Sequence, residues 1–278
     1  MCIRDRKRLR AKPQEASQAL YAARKVLDAT SGGLKRHLEK LSSSAEAFLC
    51  KRRTYAYSLA ATCAAGYVVG LGDRHLDNFL LSGDGALVHI DLGYSFGTGA
   101  LLPVPELIPF RLTRELEAPL EPVGARRVLT SHLETTLRTL RQPRARAPLL
   151  GLLEAFVREP VLDWLRGARH DASLDRDADD VEAGAAATPE RRVATARGKL
   201  FGANPCHLLN REVAGNPMLE ADMAQRARTV VSGLENSARH ALRHQATLSV
   251  EDQVGVLVDL ATDPASLGRH WCGLTLWV

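Results

Sequence analysis

Between Tyr67 and Gly97 the chain reads YVVGLGDRHLDNFLLSGDGALVHIDLGYSFG, and this stretch limits the fold more than any other. Two short apolar runs, 79–81 and 87–92, flank SGDG, where Asp84 and Gly85 suit the positive φ of a tight hairpin turn. Two strands joined there would bring Asn78 and Asp91, at their far ends, close together. Asp73 and His75 stand just ahead of the first strand. A soluble chain gains nothing by crowding so many polar groups between two apolar strands unless they act together.

The rest reads mainly as helix. Over 42–71, Leu59, Cys63 and Tyr67 recur every fourth residue, and Ala and Gly fill most other positions, the pattern of a helix buried nearly all round. Leu129, Leu133, Leu137 and Leu140 follow helical spacing, and Leu149, Leu152, Leu153, Phe156 and Val157 begin another helix. Both sets read as core-facing stripes. Three prolines and two glycines in GTGALLPVPELIPF predict an extended, irregular loop. An Asp- and Ala-rich insert near 168–195 reads as a surface loop or a disordered insert. Towards the end, Ser249 with Asp252 forms a capping-box start, and Val250, Val254, Leu257 and Ala261 share a face until Asp263 precedes Pro264. Trp271 and Trp277 predict a docked terminus, and His89, Cys63 and Trp164 read as core residues.

Composition narrows the class without choosing a function. With 278 residues, 45% of them apolar and 25% charged, the chain is ordinary globular material, and its net charge of +5 is mostly diluted along the chain. The basic start RDRKRLRAK reads as a solvated tail, and 1–33 as a leader left from a longer protein. Five scattered cysteines fit neither a zinc site nor a disulfide framework, which favours a reducing compartment. No apolar run approaches the roughly 20 residues of a membrane span, so no membrane partner is expected.

The spacing of the polar groups is specific. Phosphoryl transfer asks little covalent chemistry of a protein; it asks for oxygens that hold metal ions against the phosphates and a carboxylate that orients the attacking hydroxyl. In protein kinases four residues separate the catalytic-loop Asp from the metal-binding Asn, and an Asp-x-Gly triplet follows. Four residues separate Asp73 from Asn78 here, and Asp91-Leu92-Gly93 begins thirteen residues after Asn78. Any one of these acids alone is more simply a cap or a turn. Their common order is not.

In GDRHLDN the His follows the Asp instead of preceding it. GLGDRHLDNFLL with HIDLGYSFG strongly resembles the phosphatidylinositol 3-kinase-like family, which holds lipid kinases and giant Ser/Thr protein kinases. EAFLCKRRTYAYSLA, LLPVPELIPFRLTREL, FVREPVLDW and RGKLFGANP are similar to segments of its DNA-damage branch, and LSVEDQVGVLVDLATDPASLGRHW is similar to its C-terminal FATC motif. The resemblance implies an α+β, mostly α fold: a kinase-like C-lobe over 34–246 with a short β-hairpin at the active site, and a helical FATC tail over 247–278. It implies Asp73 as the catalytic carboxylate, His75 against the γ-phosphate, Asn78 and Asp91 as magnesium ligands, and Leu80 and Ile90 as the apolar floor beneath the adenine of ATP. Arg74 would tie the loop to the fold. It further implies a nuclear kinase of non-homologous end joining, acting on protein Ser and Thr followed by Gln. DNA ends and a DNA-end-binding heterodimer would be met through the remainder of the parent.

The chain departs from the pattern in places. No glycine-rich loop and strand Lys are recognisable before Asp73, so the N-lobe is expected to be absent and the chain inactive by itself. An inert scaffold therefore stays open as the alternative, as does a sibling damage-response or growth-signalling kinase. Tyr94 stands where the similar branch carries a His, and GLTLWV lacks one aromatic residue of the FATC tip. From Tyr94 to Phe110 there is no Lys or Arg and a single acid, Glu106. Inositol phosphates need cations there, so a protein substrate is favoured.

Overall fold

The computed structural model describes residues 32–101, 106, 108–122, 125–158, 189–214, 242 and 244–262. Its spine is α2 (Ala45–Val69), preceded by the short α1 (Gly33–Lys40). The Ser44 hydroxyl accepts from the Ala47 amide and opens α2, and Gly70, left-handed, closes it, so the helix is shorter at both ends than 42–71. Tyr55, Leu59, Cys63 and Tyr67 form one buried stripe, with Ala56, Ala60 and Ala64 beside it. Small residues let α4 (Ala125–Arg141) approach closely. Its Leu129, Leu133 and Leu137 are fully buried, as their spacing predicts.

Two three-residue strands, β1 (Phe79–Leu81) and β2 (Leu87–His89), pair antiparallel with Phe79 opposite His89, Leu80 opposite Val88 and Leu81 opposite Leu87. The second strand stops at His89, short of the expected 92. The turn also differs: Gly85 takes φ 92°, while Asp84 is not left-handed and its carboxylate instead accepts from the Ser82 hydroxyl and the Ala86 amide. Asp84 thus closes the loop by hydrogen bonding, the alternative route open to a short acidic side chain. The hairpin sits on α2. The Lys51 ammonium donates to the Gly83 carbonyl, and the Leu87 amide donates to the Ser58 hydroxyl at 2.8 Å. A Cβ at Gly85 would lie 2.6 Å from the Lys51 carbonyl oxygen. Gly85→Ala should therefore cost roughly 2 kcal/mol or more, from left-handed strain plus this clash. The measurement is amide protection of the hairpin; unchanged protection would refute the seating.

The remaining described helices are α3 (Arg114–Glu117), α5 (Pro143–Val157), α6 (Pro189–Leu200), α7 (Pro205–Ala214) and α8 (Val250–Thr262). The Glu115 carboxylate accepts from the Gly32 and Leu34 amides and ties α3 to the start of α1. In α5, Leu150, Leu153 and Val157 face inward, but Leu152 and Phe156 are exposed, so the expected five-residue core stripe is narrower. The insert expected near 168–195 overlaps α6, which is already helical at Pro189. At α8 the Asp252 amide donates to the Ser249 hydroxyl at 3.0 Å, the capping geometry expected. Val254, Leu257 and Ala261 join the main core, and Val256 and Leu260 pack with Cys206 and Leu248. Trp164, Trp271 and Trp277 lie outside the described residues. The described fold is mostly helical with one small two-stranded sheet, and none of its helices is long and apolar enough to cross a membrane.

Candidate active site

Beyond Gly70 the chain doubles back along 94–97. The Phe96 amide donates to the Val69 carbonyl, Gly97 to Gly70, and Gly72 to Tyr94, at 2.8, 2.8 and 2.6 Å. Asp73 follows with φ 58°, left-handed for a residue that pays for it sterically. Arg74, 3% exposed, donates to the carbonyls of Gly72, Ile90 and Asp91. It staples the loop to the end of β2, the part expected of it. Burial lowers its pKa from the ordinary value, against the opposing pull of Glu106, Asp73 and Asp91.

Asn78 ends a tight turn that opens at Leu76. Its side-chain amide donates to the Asp73 carbonyl at 2.7 Å and lies 3.2 Å from His75 Nε2, which is 3.8 Å from the Asp73 carboxylate. The Ile90 amide donates to the Asn78 carbonyl at 3.1 Å, extending the ladder by one residue pair beyond Phe79 and His89. Asp91 comes next, exposed and left-handed at φ 52°, with Oδ1 accepting from the Gly93 amide at 3.3 Å. Asp73, His75, Asn78 and Asp91 are thus gathered at one end of the hairpin. Leu80 and Val88 on the strands and Ile90 just beyond β2 are exposed beside them, 51%, 44% and 37% accessible, an apolar face open to a flat ring. His89 is half-buried, edge-on to Phe79 at 4.7 Å, and burial together with Arg74 pushes its pKa down to about 4, so it stays neutral near pH 7.

The donor set fits magnesium. With its nitrogen committed to Asp73, Asn78 offers Oδ1, and Asp91 offers an exposed carboxylate. Among the described residues no group of three or more His, Cys, Asp or Glu gathers as a metal cluster. A hard cation that keeps its waters and leans on phosphate needs only one or two protein oxygens.

Spacing along the chain misses three residues around this loop. Glu106 accepts from the Asp73 amide at 2.5 Å and from the Arg74 amide at 3.3 Å, and burial pushes its pKa up to about 7. Arg111, 2% exposed, donates to the Arg74 carbonyl at 2.9 Å, and burial pulls its pKa down to about 9. Gln253 of α8 is fully buried: its Nε2 lies within 3.3 Å of the Tyr67 hydroxyl and 3.1 Å of the Lys199 and Ala203 carbonyls. The one available signal was that Glu106 is the sole acid between Tyr94 and Phe110. Behind the loop a cavity is lined by Tyr67, Gly72, Glu106, Lys199, Leu208 and Leu260.

Two family models match the chain: Phosphatidylinositol 3- and 4-kinase over residues 3–166, ahead of the boundary expected at 34, and the FATC domain over 247–273. The DNA-dependent protein kinase catalytic subunit of Dictyostelium discoideum is 35% identical over 239 residues, and that of Mus musculus 36% over 253. Those alignments take 84% and 88% of this chain but span only 5% and 6% of the relatives' length. The Serine/threonine-protein kinase tel1 of Schizosaccharomyces pombe is 34% identical over 225 residues, 79% of this chain and 7% of tel1. Among solved structures, the FAT and kinase domain of CtTel1 superposes with a TM-score of 0.53 at 25% identity, covering 96% of this chain and 16% of that one. The mostly helical fold and these matches agree, and the chain belongs to the phosphatidylinositol 3- and 4-kinase family, with an FATC domain following its kinase segment.

Proposed function

We propose that this chain carries the catalytic loop of a protein kinase that transfers the γ-phosphate of ATP to Ser and Thr of protein substrates. The observation that carries the reading is the hairpin ladder that brings Asn78 and Asp91 to the end where Asp73 and His75 stand. Asp73 orients the substrate hydroxyl and takes its proton. His75 donates a hydrogen bond to the charge that builds on the γ-phosphate. Asn78 and Asp91 would hold magnesium, which when bound would supply charge neutralisation to the phosphate oxygens. Leu80 and Ile90 give the adenine its apolar floor. A protein substrate is supported by the lack of Lys and Arg from Tyr94 to Phe110 and by tel1, a relative named as a Ser/Thr-protein kinase.

A narrower reading rests on the relatives named as DNA-dependent protein kinase catalytic subunits. In it the natural protein works in the nucleus in double-strand break repair by non-homologous end joining. It would meet DNA ends with a DNA-end-binding heterodimer through residues outside this chain.

The test uses the protein in its natural full length, with labelled ATP and two acceptors, a Ser-Gln peptide and phosphatidylinositol vesicles. Magnesium-dependent label on the peptide, lost with EDTA, is the expected result. Label on the lipid alone would overturn the protein-kinase reading. Adding blunt DNA ends should raise the rate; indifference to DNA would remove the end-joining reading while leaving the kinase.

A further inference from the structure

Asp73 is left-handed at φ 58°, a conformation uncommon outside glycine though one that Asp tolerates, and partners from outside the loop hold it there. Its main-chain partners account for this. The Asp73 amide donates to Glu106 Oε2 at 2.5 Å, and the next amide, Arg74, donates to Oε1 of the same carboxylate at 3.3 Å. The Asp73 carbonyl is taken by Asn78, and the Arg74 carbonyl by Arg111. Every main-chain polar group of these two residues is therefore held by a side chain. Two of the three holders, Glu106 and Arg111, lie five positions apart and more than thirty residues away along the chain.

We propose that Glu106 is a positioning residue for phosphoryl transfer: its buried carboxylate bridges the consecutive amides of Asp73 and Arg74 and so sets the direction in which the Asp73 side chain points. The proposal rests on the kinase reading of Asp73. The surroundings are shaped for this bridge. The Glu106 amide donates to the Gly99 carbonyl at 3.1 Å, which sets the side chain over the loop. A Cβ at Gly72 would lie 2.7 Å from Gly99 Cα and 2.9 Å from Glu106 Oε2, so the two strands of chain approach this closely only because both positions are glycine. When ionised, the Glu106 carboxylate offers both oxygens as acceptors to the two amides, whereas the amide of glutamine offers only one.

The test compares Glu106→Ala and Glu106→Gln with the wild type in the full-length protein, reading steady-state kinetics and amide hydrogen exchange. With Glu106→Ala, kcat should fall ~100-fold, the scale of a misplacement of about 1 Å at a reacting centre, while KM for ATP and peptide stays within about twofold. Exchange should quicken at the amides of Asp73 and Arg74 and remain unchanged in α2 and α4. Glu106→Gln keeps one acceptor oxygen and the same volume, and should recover about tenfold of the loss, the value of one hydrogen bond. Wild-type kcat in Glu106→Ala, or exchange that quickens through α2 and α4 as well, would overturn the positioning role. Should the wild type transfer no phosphate at all, the kinase reading fails, and exchange at Asp73 and Arg74 still decides the bridge: unaltered exchange in Glu106→Ala and Glu106→Gln refutes it.

Discussion

Asp91→Asn is expected to lower phosphoryl transfer by the full-length protein by about 10³-fold while leaving its fold intact. Neutralising phosphate charge with a metal contributes several kcal/mol to the transition state, and about 4 kcal/mol corresponds to three decades in rate. The amide oxygen of asparagine keeps the shape of the ligand but not its charge. The fold should not notice. Asp91 is exposed, its one side-chain bond to the Gly93 amide can be accepted equally by an amide oxygen, and asparagine tolerates the left-handed φ of 52° well. What places the residue is the Arg74 guanidinium on its carbonyl, which the substitution leaves untouched. Initial rates at saturating ATP and magnesium measure the effect. Asp84→Asn, on the same hairpin but in its loop, is the control and should be near neutral. A rate for Asp91→Asn within a few fold of wild type would remove Asp91 from the metal site.

Gln253→Ala should produce the largest loss of stability. The side chain is fully buried and joins four elements: its Oε1 accepts from Arg141 of α4 at 2.6 Å, and its Nε2 faces Tyr67 of α2, Lys199 of α6 and the Ala203 carbonyl in the turn after it. Truncation leaves a half-buried guanidinium, the buried Lys199 carbonyl and the half-buried Ala203 carbonyl each a partner short, and it opens a void. Loss of one buried group costs ~1–3 kcal/mol, so about 3 kcal/mol or more is expected in sum. Gln253→Glu separates bonding from packing, because it fills the same volume and keeps Arg141 but turns an oxygen onto the Lys199 and Ala203 carbonyls. It should be no better than alanine. Amide exchange in α8 reports both variants, and protection equal to wild type in either would show that the FATC helix is held by its apolar face alone. Transfer activity should fall alongside, because Tyr67 lies in the last turn of α2, whose Val69 and Gly70 carbonyls frame the loop that carries Asp73.

Some of this site can be read directly from the chain, because its distances are local. Asp73, His75, Asn78 and Asp91 fall around one hairpin, and a hairpin's pairing is set by a few residues of turn and strand. Helical stripes are equally local: Leu129, Leu133 and Leu137 are buried where their four-residue interval puts them. Capping at Ser249 needs only three residues. Periodicity overreached in α5, where Leu152 and Phe156 extend the apolar stripe around a helix that has a packed neighbour on only part of that arc. It overreached again at 90–92, where apolar character continues but the left-handed Asp91 ends the ladder.

The sequence by itself determined the order of the polar groups, the hairpin that joins them, and the helices that bury their apolar faces, since each follows from neighbours a few residues apart. Tertiary structure alone decided which distant side chains hold that hairpin in shape. Glu106 meets Asp73 across 33 residues and Gln253 meets Tyr67 across 186, and a hydrogen bond over such a gap leaves no spacing to read. One buried acid and one buried amide have the same letters as any surface residue. Only the burial that folding imposes turns one into the partner of a left-handed backbone and the other into a tie between helices.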